Sequence, residues 1–258
     1  MFLRYADEQS QQYPSTAAGH EFARICHERS DGSILVRVYD DRRLGLEAEL
    51  VEQIRFGGID LARVHIRNLE ELSPVAARMS EFGAFASASD IEAQMKGPQG
   101  KALAEELLAE KIVLLSWFDG GPEYRLESRK RPLGLETDAK VAVQASRSLM
   151  DWIAAGGDTP VPMGLSEFRH AYTTRLADVF IMPLLAADAE QLLDILRPVP
   201  TEGSRSLELL VASRVTYQKM LPGDREILLH VAEEVRSYQE ELRSAAESRL
   251  LIFMGFMQ

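Results

Sequence analysis

The sequence predicts an α/β fold of two lobes, with mainly parallel sheets, flanking helices, hinge strands and one long C-terminal helix. Three observations carry this expectation. Strand-like and helix-like segments alternate through most of the chain. An apolar strand at 112–117 reaches the turn residues Asp119, Gly120, Gly121 and Pro122 and is followed by an extended run at 123–128. After Arg129, Lys130, Arg131 and Pro132 a new strand opens at 140–144, as expected of a chain that leaves one sheet and starts a second. Finally, Ile227, Leu228, Val231, Val235, Tyr238, Leu242 and Leu250 recur at helical spacing across 223–254, which predicts a single helix beginning just after Pro222.

In chain order, 2–5 reads as a strand, and 15–29 as a helix opened by Pro14 with Ala18, Phe22, Ala23 and Cys26 on one face. The alternating run at 33–39 is a strand, 46–56 a helix closed by Gly57 and Gly58, and 59–64 a strand. Helices are expected at 69–79, at 89–95 with Ser89 as cap, and at 100–111 beyond Gly97 and Pro98. The second half is expected to hold a helix at 147–155, an extended piece at 160–163 and a helix capped by Ser166 that runs to about 174. A strand at 178–182, a helix at 184–195 and a returning strand at 206–211 complete it. The expected division is lobe 1 at 1–120, lobe 2 at 121–204, and a hinge strand with the long helix at 205–258, part of which returns to lobe 1.

A chain of 258 residues with 46% hydrophobic and 27% charged residues is an ordinary globular composition. The net charge of -11 speaks against nucleic acid or an anionic membrane surface as partner. It leaves room for an anionic small molecule held by a local arginine. Cys26 is the only cysteine, so no intramolecular disulfide or thiolate metal cluster is possible. No Gly-rich phosphate loop, zinc spacing or nucleophile elbow occurs, and the five histidines are dispersed. The expectation is a binder without catalytic residues, metal or cofactor. No run is long and apolar enough to span a membrane. The first strand follows Met1 directly, which fits either a mature chain with an added methionine or a cytosolic protein.

Several segments, in order, resemble the DctP-type solute receptors of tripartite ATP-independent periplasmic (TRAP) transporters. They are MFLRYADEQSQQYPSTAAGHEFA, GSILVRVYDDRRLGLEAELVEQIRFGGIDLA, DWIAAGGDTPVPMGLSEFRHAYTTRLADV and VASRVTYQKMLPGDREILLHVAEEVRSYQEELRSAAE. The pair LGLEAELVEQIRFGGIDLA and GGDTPVPMGLSEF weighs most. The resemblance implies a two-lobed, type II periplasmic-binding-protein-like fold closing on a small organic acid or an atypical, less charged compound. It also implies a periplasmic or other extracytoplasmic location, integral-membrane permease subunits as partners, and a monomeric receptor. A sensory or regulatory module of the same fold, or a degenerate receptor, is the alternative reading. Relatives usually continue with a further strand and helix after the long helix.

The resemblance also assigns site residues. A family arginine is carried over at Arg125, and Glu167 matches the glutamate of a helix-start motif. Tyr13 falls where the first loop reaches the cleft, and Trp117 ends the central strand where a ligand body would stack. The arginine that clamps the ligand carboxylate in the family is replaced by Ala142 in the run KVAV, next to Gln144. Met182 replaces an asparagine, and His65 stands where many relatives have a polar or acidic residue. Three outcomes stay open for this altered site. The ligand is atypical, the anchor has moved to Arg63, His65 and Arg67 on one face of a strand, or the site binds little.

Overall fold

The computed structural model describes residues 1–129, 138–144 and 146–254, with backbone alone at 200–203 and 253. Lys130, Arg131 and Pro132 of the basic run lie outside the described residues. Strands β1 (Phe2–Ala6), β2 (Leu35–Tyr39) and β3 (Leu61–His65) carry alternating or continuous apolar side chains and pair in parallel around β1. Helix α1 (Pro14–Arg29) starts on a proline whose missing N–H costs nothing there. Helix α2 (Glu47–Phe56) stops at Gly57, which takes φ 75°, a conformation a side chain disfavours.

The stretch 69–79, expected as one helix, starts at the end of a 3₁₀ turn, Ile66–Leu69, and is α-helical only in the short helix α3 (Pro74–Met79). Pro74 cannot sit inside a helix and instead opens one, with Ser73 accepting from the Ala76 N–H. Helix α4 (Ala88–Lys96) is capped by Ser87, two residues before the expected Ser89, and α5 (Pro98–Ala109) follows.

Strand β4 (Ile112–Ser128) is continuous where a turn was expected at Asp119 to Pro122. It lies antiparallel to β8 (Leu196–Ser213), which absorbs the Gly-Gly-Pro sequence through register shifts at Leu114/Ser116, Asp119/Gly121 and Pro122/Tyr124. Proline donates no hydrogen bond and is tolerated at such a bulge. Gly120 is required there by close approach: a Cβ on it would stand 2.6 Å from Ser206 Oγ.

Beyond the bulges come β5 (Lys140–Val143), α6 (Arg147–Ala155), β6 (Thr159–Pro162), α7 (Phe168–Thr174), β7 (Val179–Pro183) and α8 (Leu184–Ala189). A 3₁₀ turn, Leu165–Glu167, precedes α7, and α8 ends well short of the expected 195. A short helix, α9 (Arg214–Lys219), leads to α10 (Pro222–Phe253).

The eight strands form one mixed sheet in the order β2-β1-β3-β8-β4-β7-β5-β6. Parallel strands occupy both flanks, and the long antiparallel pair β4 and β8 runs through the middle, tying the two halves together. In the first half one face packs against α2 to α5 through Leu50, Ile54, Leu103 and Leu107. The other face packs against α1 and α10 through Phe22, Leu228, Val231 and Val235. In the second half α7 covers the face bearing Leu126, Ala142, Phe180 and Met182, and α6 covers Val141, Val143, Val179 and Ile181. Helix α10 reaches both halves, because Ala246 and Leu250 pack near Tyr13 and against Leu185 and Ala186 of α8. These faces are what place the strand ends, and with them the polar residues, along the junction.

Candidate functional site

The C-terminal ends of β1 and β3 in the first lobe face those of β5 and β7 in the second, the edge where parallel α/β sheets carry their ligands. Asp7 just after β1, Glu47 at the start of α2, Arg63 in β3 and Glu208 in β8 build a buried ionic cluster there. The Arg63 guanidinium, 1% exposed, donates to Asp7 Oδ1 from Nε at 3.1 Å and from Nη2 at 2.6 Å, and to Glu47 from Nη1. Glu208 of β8 lies 3.9 Å from the same guanidinium and accepts from Tyr13 Oη at 3.0 Å and from Ser15 Oγ. Glu47 also accepts from the His65 N–H at 2.8 Å and Asn68 Nδ2 at 2.7 Å. Burial raises the Glu47 and Glu208 carboxyls above their ordinary values despite the opposing charge of Arg63.

His65 is buried and accepts from the Arg67 N–H through Nδ1 at 3.1 Å. Burial, helped by the nearby Arg67 charge, pushes its pKa down to about 3, so the ring is neutral at physiological pH. With Nδ1 an acceptor, Nε2 carries the hydrogen.

Arg67 reaches across the junction to Glu123 of β4 in a two-pronged pair, Nη1 to Oε1 at 2.6 Å and Nη2 to Oε2 at 2.8 Å. Ser204 Oγ donates to the same carboxylate at 2.6 Å. Burial acts to raise the Glu123 pKa, but Arg67 and Ser204 outweigh it and hold the carboxyl below its ordinary value. Arg67 Nε and His65 Nε2 are buried and have no acceptor among the described residues.

A cleft of about 940 Å³ opens beside Arg67, between α2, the 3₁₀ turn and α3 on one side and the start of α6 on the other. Its lining carries Glu52, Glu70, Glu71, Glu81 and Asp151 against Arg67 and Arg147. Glu70 crosses it to the N-terminus of α6, accepting from Ser146 Oγ, and from the Ser148 N–H and Oγ at 3.2 Å each. Phe82 and Trp152 stack across the same gap with centroids 4.0 Å apart.

The residues expected in the site from sequence divide between this junction and other places. Tyr13 and His65 belong to the buried cluster. Arg125 pairs with Glu127 at 3.1 Å and Asp158 at 3.4 Å and lines a separate hollow of about 460 Å³ with Trp152, Ile153 and Ile181. Ala142 and Met182 are core residues against α7. Trp117 packs on the first-lobe core with Arg236 stacked over its ring at 4.6 Å. Gln144 is half-buried at the end of β5. Glu167 is exposed and accepts from the Gly164 N–H at 2.7 Å, a local capping role. Sequence reading passed over Asp7, Glu47, Glu123 and Glu208. Glu208 and Glu123 had a visible signal, an acid inside an otherwise apolar or alternating strand, which has to find a partner when buried.

Comparison with known proteins matches the chain as a whole, in sequence and in fold, to solute-binding proteins. A solute-binding protein of Chromohalobacter salexigens is 24% identical over 93% of this chain and 73% of its own length. The 2,3-diketo-L-gulonate-binding periplasmic protein YiaO of Escherichia coli is 22% identical over 96% of this chain and 77% of its own. A TRAP periplasmic solute-binding protein from Sulfitobacter, solved with bound β-D-galacturonate, superposes with a TM-score of 0.91 at 21% identity, covering 98% of this chain and 86% of that one. The two-lobed fold read from the sequence is therefore the fold of TRAP receptors. With the family model for bacterial extracellular solute-binding proteins matching residues 5–255, this chain belongs to the DctP family, family 7 of those proteins.

Proposed function

We propose that the protein is a solute receptor of a TRAP-type secondary transporter, which closes its lobes on a small organic molecule and hands it to integral-membrane permease subunits. A periplasmic or other extracytoplasmic workplace, a monomeric state and the absence of any nucleic-acid partner belong to the same reading. The observation that carries it is the cleft of about 940 Å³ whose two walls come from different lobes and already touch through Glu70 and Ser148 and through Phe82 and Trp152. Such a site suits a ligand that acts as a clasp between two halves.

The Sulfitobacter relative holds a uronate, and an acid is the first class to try. In this chain, however, the buried guanidinium groups Arg63 and Arg67 are each matched by the protein's own carboxylates, and acids outnumber bases among the charged residues of the cleft lining. That favours a ligand of low negative charge, bound by hydroxyl or carbonyl groups. The test is thermal unfolding of the full chain against acids, sugars and neutral polar compounds, followed by small-angle scattering with whatever stabilises it. A stabilising compound that also makes the particle more compact supports the receptor reading. Stabilisation by no compound, or binding without compaction, contradicts it.

A further inference from the structure

We propose that Glu123 is the protein's own occupant of a carboxylate clamp formed by Arg67, and that this side chain sets the receptor's selectivity against free carboxylic acids. The inference rests on the receptor reading and names the residue that governs its ligand class. Its basis is geometric. A guanidinium holding both oxygens of one carboxylate, at 2.6 and 2.8 Å, is the arrangement a protein uses to recognise an acid. Here the partners come from different parts of the junction, Arg67 from the turn after β3 and Glu123 from β4 within its last bulge, where β4 begins to pair with β7. Arg67 also lines the cleft between the lobes. Glu123 is fully buried, and Ser204 supplies a third donor to it, as a receptor would for a bound ligand.

An acid arriving at Arg67 thus meets a guanidinium whose two terminal nitrogens are already engaged, and a second carboxylate beside Glu123 would be repelled. Among the described residues, the buried donors here without an acceptor are Arg67 Nε and His65 Nε2. Because Glu123 already cancels the Arg67 charge, these N–H groups offer an arriving ligand hydrogen bonds without net positive charge, which a hydroxyl or carbonyl can use and an anion gains less from. Removing the carboxylate at 123 would leave a buried cation and a space of carboxylate shape, which an external acid can fill.

The experiment compares the wild type with Glu123→Ala, Glu123→Gln and the double variant Arg67→Met/Glu123→Ala. Thermal unfolding of the full chain is followed with acetate, D-glucuronate and, as uncharged control, D-glucose. Glu123→Ala is expected to bind at least one of the acids about tenfold tighter than the wild type or better, with no matching gain for glucose. The double variant is expected to lose that response. A wild type stabilised as strongly as Glu123→Ala overturns the proposal, as does a folded Glu123→Ala indifferent to both acids, or a double variant that still responds. Should Glu123→Ala show no cooperative transition, Glu123→Gln decides. Its amide oxygen can still accept from Arg67 and Ser204, so acids should displace it more readily than they displace the wild-type carboxylate, and an unresponsive Gln variant overturns the proposal. The receptor reading fails separately: a wild type that no solute compacts defeats that reading, whereas a wild type that compacts beside variants indifferent to acids defeats only the role of Glu123.

Discussion

The rings of Phe82 and Trp152 stack with centroids 4.0 Å apart and planes 25° apart, one ring from the loop after α3 and the other from α6. The contact spans the lobes, so it exists only when they are together. Trp152→Ala is expected to weaken closure by about 0.5–1.5 kcal/mol, the range for such aromatic pairs beyond simple burial. A longer mean distance between spin labels placed on the two lobes would show it; an unchanged distance distribution would count against it.

Glu70 makes the corresponding polar contact, with three donors from Ser146 and Ser148 at the start of α6. A carboxylate is favoured at a helix N-terminus by the unpaired N–H groups there. Glu70→Gln keeps the shape but removes the charge. It should shift the lobes toward the open form by about 1–2 kcal/mol, the difference between a charged and a neutral acceptor. Faster proteolysis within β4 and β8, with little change in global unfolding by urea, is the expected result.

The Arg63 cluster predicts a larger effect on stability. Asp7, Glu47 and Glu208 surround one guanidinium, and all four groups are buried. Arg63→Met strands the carboxylates and should cost about 3–5 kcal/mol. For a chain of this size that lowers Tm by roughly 6–20 °C. Arg63→Lys should recover only part, because an ammonium cannot reproduce the fork that spans Asp7 and Glu47.

His65 supplies a prediction in pH. In the folded protein it stays neutral down to about 3, whereas its ordinary value is 6.5. The unfolded chain therefore takes up the proton first as pH falls. The stabilisation is complete above the ordinary value and is lost between pH 6.5 and 3, at about 1.4 kcal/mol per unit. Glu47 and Glu208, whose pKa values are raised, act in the opposite sense, losing stability as pH rises through the interval above their ordinary value. Comparison with His65→Asn isolates the histidine, since the Asn oxygen can still accept from the Arg67 N–H. The expected result is a flatter loss of stability on the acid side for the variant; parallel curves would contradict it.

The lobes, most helices and the long α10 were legible because apolar period and caps are local signals. Residues 147–155 illustrate this: the glycines at 156 and 157 mark the helix end in the sequence, and the structure keeps the same limits with Ser146 as its cap. The path of β4 through Gly120, Gly121 and Pro122 was not legible. Those residues favour turns in isolation, and only pairing with β8 holds them extended. The site was harder still. Arg125 and Glu123 stand two residues apart on one face of β4, and nothing local says which of them meets Arg67. The partner is selected by how the second lobe packs. Ala142 and Met182 became core for a similar reason, since the side chains that cover them, among them Phe168 of α7 and Leu126 of β4, are distant from both in sequence.

The unbroken passage of β4 and β8 through both lobes couples the side-chain parity of one half to that of the other. Along β4, Phe118 faces the first half's core and Leu126 the second's, while Arg125 and Glu127 turn to the α6 side. The irregular pairing between Asp119 and Tyr124 works as a frame counter between them. One residue inserted there would exchange the two faces of the strand's distal half, driving the Arg125 guanidinium toward Phe168 and Phe180 and turning Leu126 outward. Length at this crossing is therefore under tighter constraint than composition, and a deletion would be as damaging as an insertion.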